Sequence, residues 1–148
     1  MDPLSMRPRG HLIISTAVSA GVYAASRSWT LTSLSWIAGV LIDVDHVLDY
    51  LVTQKRLDPY PMMFKHFDRQ RSKKCYLWLH GFEWIPVIGL LSWTLGQPLA
   101  GSAILMGYSQ HLLLDQWANG LHPLFYFLTF RAANGFEAEK LGVLEKPD

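Results

Sequence analysis

Apolar residues run through this chain in four long segments, 12–26, 31–52, 76–95 and 99–118. Short polar breaks at 27–30 and 96–98 and a long one at 53–75 separate them. Within each segment hydrophobicity continues around the helix instead of following one stripe, as expected of a helix surrounded by lipid or wholly buried. Each approaches the ~20 residues with which a helix crosses a bilayer. A fifth run, LHPLFYFLTF at 121–130, is too short to span and fits an interfacial helical segment, followed by a tail to 148. The pattern predicts an all-α fold, an integral membrane four-helix bundle in a single domain over 1–148. Its spans are expected at about 11–26, 31–52, 76–95 and 99–118.

Loop charge orients the bundle. Arg7 and Arg9 precede the first segment, and Lys55, Arg56, Lys65, Arg69, Arg71, Lys73 and Lys74 crowd the second loop. The first loop has only Arg27 and the third has no basic residue. Positive residues stay on the cytoplasmic side, so both termini and the 53–75 loop are expected there, in a multi-pass inner-membrane protein. A soluble bundle with a very apolar core suits the mean hydropathy of +0.13, but gives no reason for such sorting. Trp29, Trp78 and Trp117 lie near segment ends, as an aromatic belt requires. The first 26 residues have the charge and apolar order of a signal peptide. They are read as a retained span because His11 at its head has a use. Half of the 148 residues are apolar, 13% are aromatic and only 17% are charged. A net charge of +1 speaks against binding nucleic acid through bulk charge. Cys75 is alone, which excludes a disulfide framework and a cysteine zinc cage.

The second segment carries a conflict. SWIAGVLIDVDHVLDY begins as a span and then delivers Asp43, Asp45, His46 and Asp49 within two turns. In the expected topology these sit at the cytoplasmic end, level with His11, with His80 and Glu83 opening the third span, and with His111 and Asp115 closing the fourth. His111 and Asp115 are i,i+4, as are Asp45 and Asp49; Asp43 and His46, His46 and Asp49, and His80 and Glu83 are i,i+3, so each pair shares a helix face. Five carboxylates and four imidazoles without an intervening lysine or arginine do not neutralise one another, and burying them unpaired is costly. Divalent metal resolves this. Mixed imidazole and carboxylate ligands suit zinc first, with manganese or iron allowed. So many ligands have room for two ions, the usual arrangement for phosphate-ester hydrolysis. Each residue alone has a plainer reading: His11 as an N-cap neighbour, Glu83 as a solvated side chain, His111 as a hydrogen-bonded core histidine, and Asp43 as orienting His46. His66 reads as a surface residue. Glu83 or Asp43, whichever is not a ligand, is the candidate general base. There is no Gly-rich phosphate loop and no serine or cysteine nucleophile with an obvious base.

A histidine heading the first span, DVDH closing the second, a histidine opening the third and HLLLDQWANG closing the fourth resemble the predicted membrane-bound metal-dependent hydrolases, the YdjM-like small four-span inner-membrane proteins. The resemblance covers roughly residues 10–123 and implies His11, Asp43, Asp45, His46, His80, His111 and Asp115 as metal-site positions. Many members have Arg-Gly-x-Thr-His-Ser at the third span, where this chain reads LHGFEW. His80 stands for that histidine, and the arginine and threonine are missing. The expected function is hydrolysis of an ester, a phosphoester of a membrane lipid foremost, at the cytoplasmic face. Two alternatives compete: a metal-stapled, non-catalytic subunit or assembly factor that binds another membrane protein, and a di-iron oxidative enzyme. For the last, Asp43 and His46 supply one carboxylate-x-x-His pair but the second copy is absent.

Overall fold

The structure, a computed structural model, describes residues 8–55 and 73–143. Every regular element among these residues is helical: α1 (Pro8–Ser26), α2 (Trp29–Leu41), α3 (Val44–Gln54), α4 (Trp84–Thr94), α5 (Pro98–Ala118) and α6 (Leu128–Ala133). The chain divides into two compact units, 1–42 with 82–120 and 43–81 with 121–148.

The first unit holds α1, α2, α4 and α5. Pro98 opens α5 at the first helical position, where a missing N–H costs nothing. Arg27 adopts φ 53° and its N–H bonds Tyr23 O, closing α1 with a left-handed residue. Ser28 then caps α2 by accepting from Leu31 N. Gly96, at φ 67°, makes the turn between α4 and α5. α2 packs on both α1 and α5, and α4 packs on α5. Ser15 Oγ reaches Gly39 O while Trp36 Nε1 donates to Thr16 Oγ1, so α1 and α2 run antiparallel. Small residues allow the closest approach. Gly107 of α5 lies against the backbone of Ser35 and Gly39 on α2, where a Cβ would stand 2.8 Å from the Ser35 carbonyl carbon.

Two expected spans are corrected in length. The 31–52 run breaks at residues 42–43 into α2 and α3. The 76–95 run is helical only from Trp84, so His80 and Glu83 do not share the first turns of a helix. Pro86 is the physical reason. A proline is tolerated in the first turn, but further inside it removes a hydrogen bond and clashes with the carbonyl four residues back. α2 and α4 have 13 and 11 residues, or about 20 and 17 Å at ~1.5 Å per residue. One helical stretch among the described residues, Trp29–Thr53, is long and apolar enough to cross a membrane by length and composition.

The second unit surrounds α3 with irregular chain. Residues 73–75 pair with 136–138 through Cys75 N to Phe136 O, Ala138 N to Lys73 O and the antiparallel bridge Lys74–Glu137. Tyr50, Leu77, Phe125, Tyr126, Ala138 and Leu141 form its apolar core. The expected interfacial helix at 121–130 is displaced. Turns occupy 123–126, the helix is α6, and Phe125 and Tyr126 are buried in the unit.

Candidate metal centres

The first unit brings together His11 from the first turns of α1 with His111 and Asp115 from the C-terminal half of α5. His11 Nε2 lies 3.0 Å from Asp115 Oδ1, and His111 Nε2 lies 3.3 Å from Asp115 Oδ2. The imidazoles stack with centroids 4.0 Å apart. All three residues are buried, at 3%, 0% and 4% exposure, and one ligand atom from each falls within 4.8 Å of the others. Asn119 Nδ2 donates to Asp115 Oδ1.

Backbone chemistry sets the histidine tautomer. His111 Nδ1 lies 2.8 Å from Gly39 O. A carbonyl oxygen only accepts, so Nδ1 carries a proton and Nε2 faces the Asp115 carboxylate, where it either offers a lone pair to a metal ion or carries a second proton. Either way a cation, metal ion or proton, is favoured between Nε2 and the carboxylate. Gly39 can serve because α2 ends at Leu41: its carbonyl is among the last four, which have no intrahelical partner. The break in the second apolar run thus frees the group that orients His111.

The second unit gathers Asp43, His46 and His80. Asp43 immediately precedes α3, His46 lies in its first turn and His80 follows the turn at 78–79. Asp43 Oδ1 is 3.8 Å from His80 Nε2 and 4.0 Å from His46 Nε2, and the rings meet edge to face at 4.8 Å. One ligand atom from each again lies within 4.8 Å of the others. His80 is fully buried, whereas the His46 and Asp43 side chains keep 16% and 20% exposure.

Asp45 and Asp49 hold this group's framework. Asp45 Oδ2 accepts from Leu79 N at 2.6 Å and from His80 N and His80 Nδ1 at 3.3 Å each. The carboxylate thereby fixes the Nδ1–H tautomer and turns His80 Nε2 toward Asp43, the role outer-shell carboxylates play for metal-binding histidines. Asp49 Oδ1 accepts from Tyr76 N at 2.8 Å. Glu83 occupies the position before α4, half-buried, and joins neither group.

Sequence reasoning missed Arg131. It is fully buried, and its guanidinium donates to His80 O, Phe125 O and Leu77 O. It is a buried cation in the same unit as Asp43, Asp45 and Asp49. It lies 16 residues beyond Asp115, the nearest candidate ligand in the chain, and no periodicity links the two. Its charge reaches Cys75, whose thiol is pushed up to about 12 by burial first, with Asp49 and Asp45 acting in the same direction and Arg131 opposing. His66 and the basic residues at 56–72 lie outside the described residues. Comparison of the chain with models of protein families, with curated proteins and with solved structures finds no match.

Proposed function

We propose that this chain is a membrane-embedded, metal-dependent hydrolase acting on an ester, a phosphoester of a lipid foremost, at the cytoplasmic face of the inner membrane. The observation that carries the reading is the Asp43–His46–His80 group. Three candidate ligands converge there, one histidine is pre-set by a buried carboxylate, and the group keeps partial exposure. Catalytic zinc sites use three protein ligands and an open position. A bound ion would lower the pKa of a water and stabilise charge on phosphoryl oxygens. Within the second unit, Asp45 orients His80.

The membrane setting is supported by the outer surface of the first unit. Trp29, Trp93, Leu99 and Trp117 are 71–81% exposed, more apolar surface than a soluble monomer usually shows. A multi-pass placement with the basic loop cytoplasmic is supported by loop charge and by the motif resemblance to the YdjM-like hydrolases, and Trp29–Thr53 is long and apolar enough for one of its spans.

The His11–His111–Asp115 group favours a second, structural role. Its three members are almost wholly buried and join α1 to α5, as closed structural sites do. A metal there would staple the helices without taking substrate.

Elemental analysis of protein purified in mild detergent, followed by hydrolysis of a phosphoester and phospholipid panel, tests the function. Zinc or manganese at one equivalent or more, reduced by Asp43→Ala, with hydrolysis lost in that variant, is the expected result. Metal-loaded protein that leaves every ester intact would remove the enzyme and leave the staple.

A further inference from the structure

We propose that Arg131 is the positioning residue of the Asp43–His46–His80 group, holding the 77–80 turn in the arrangement that presents His80 Nε2 to Asp43. The inference rests on reading that group as a metal centre and adds a residue that lies outside it.

Arg131 lies on α6 with no exposure. Its Nη2 donates to Leu77 O at 2.7 Å, and its Nη1 donates to His80 O at 3.0 Å and to Phe125 O at 2.6 Å. The Phe125 ring lies beneath the guanidinium, 5.5 Å away. Two of the three acceptors are the first and last carbonyls of the turn that carries His80. The same turn gives its amides to Asp45, through Leu79 N and His80 N. A cation therefore grips the carbonyls and an anion grips the amides of one short segment.

That segment needs gripping. Leu77 adopts φ 42°, a left-handed conformation disfavoured for a residue with a Cβ. Such conformations persist only where the surroundings over-determine them, and they concentrate at functional sites. If the turn relaxed, the His80 backbone would move and Asp45 could no longer meet both the His80 amide and its Nδ1. Lysine is not equivalent to this arginine. One ammonium lacks the rigid planar fork that reaches three separated carbonyls.

The test is the ring-nitrogen spectrum of ¹⁵N-histidine-labelled, metal-free full-length protein in mild detergent, above the histidine titration range. Wild type is compared with Arg131→Lys and Arg131→Met. The expected wild-type result is one Nδ1–H tautomer at both His80 and His111. In Arg131→Lys, His80 should become a mixture of tautomers while His111, in the other unit, stays unchanged. Unchanged His80 signals in Arg131→Lys would overturn the proposal. So would loss of the His111 signature together with that of His80, because the arginine would then serve the fold as a whole. Should Arg131→Met not fold, the lysine variant decides alone. A parallel zinc titration separates this from the metal reading. The lysine variant should weaken one class of site about 10–100-fold, the usual effect of losing outer-shell support. Wild type that takes up no zinc, with the tautomer shift still present in Arg131→Lys, would sink the metal centre and leave the positioning role standing.

Discussion

Gly107→Ala should damage the first unit and its His11–His111–Asp115 group together. A Cβ at Gly107 would stand 2.8 Å from the Ser35 carbonyl carbon and 3.0 Å from Gly39 N, and closer still to Ser35 O. These are backbone atoms, so no side chain can swing away. Restoring ordinary contact requires α2 and α5 to part by about 1 Å. The bond from His111 Nδ1 to Gly39 O, now 2.8 Å, would then stretch to about 3.8 Å, beyond hydrogen-bond range. Overpacking costs about 1–3 kcal/mol and the lost bond about 0.5–1.5 kcal/mol. Against this, alanine in a helix gains about 0.5–1 kcal/mol over glycine. The net expectation is a loss of about 1–3 kcal/mol, with metal affinity at this group about 10–100-fold weaker because the His111 orienter is gone. Gly21→Ala is the comparator: nothing lies within 4 Å of its Cβ, so it should stabilise by about 0.5–1 kcal/mol. Thermal unfolding in one detergent, with zinc titration of each variant, measures both effects. A Gly107→Ala protein that unfolds no earlier than Gly21→Ala and binds zinc within twofold of wild type would refute the close-packing account.

Asp45→Ala removes the acceptor of Leu79 N, while His80 N keeps its bond to Leu77 O at 3.1 Å, so the expected loss is about 1–3 kcal/mol; Asp45→Asn keeps an acceptor and should lose less than half as much. Equal losses in denaturant titrations would mean the carboxylate is not holding the turn. The Cys75 thiol is raised from 9.0 to about 12, so the fold favours the neutral form. That stability is intact below pH 9 and is lost as pH rises toward 12, because the unfolded chain ionises first. Iodoacetamide at pH 9 should therefore modify folded protein far more slowly than urea-unfolded protein, and equal rates would contradict the suppressed ionisation of the half-buried thiol.

The all-helical class was legible because its signal is local. Long apolar runs broken by Pro98, Gly96 and Ser28 mark helix ends wherever those residues occur. The pairing of His111 with Asp115 was legible for the same reason, since four residues make one turn and side-chain direction follows. The third segment shows where hydrophobicity alone misleads. Pro86 already limited that helix, and its start at Trp84 follows from the proline ring and not from the apolar run.

By itself, then, the sequence determined the helical class, the C-terminal end of α1, both ends of α5 and the residue types that can take a metal. Only the tertiary structure decided how those residues divide. His11 joined His111 and Asp115 in one unit, Asp43 joined His46 and His80 in the other, and Asp45 and Asp49 turned to backbone amides. Tertiary structure alone also recruited Gly39 O and Arg131, which orient His111 and hold the His80 turn. The physical reason is that a carbonyl is present at every residue and a buried arginine looks like any other in the chain. What distinguishes them is which atoms packing brings within 3 Å, and that depends on contacts between residues far apart in sequence.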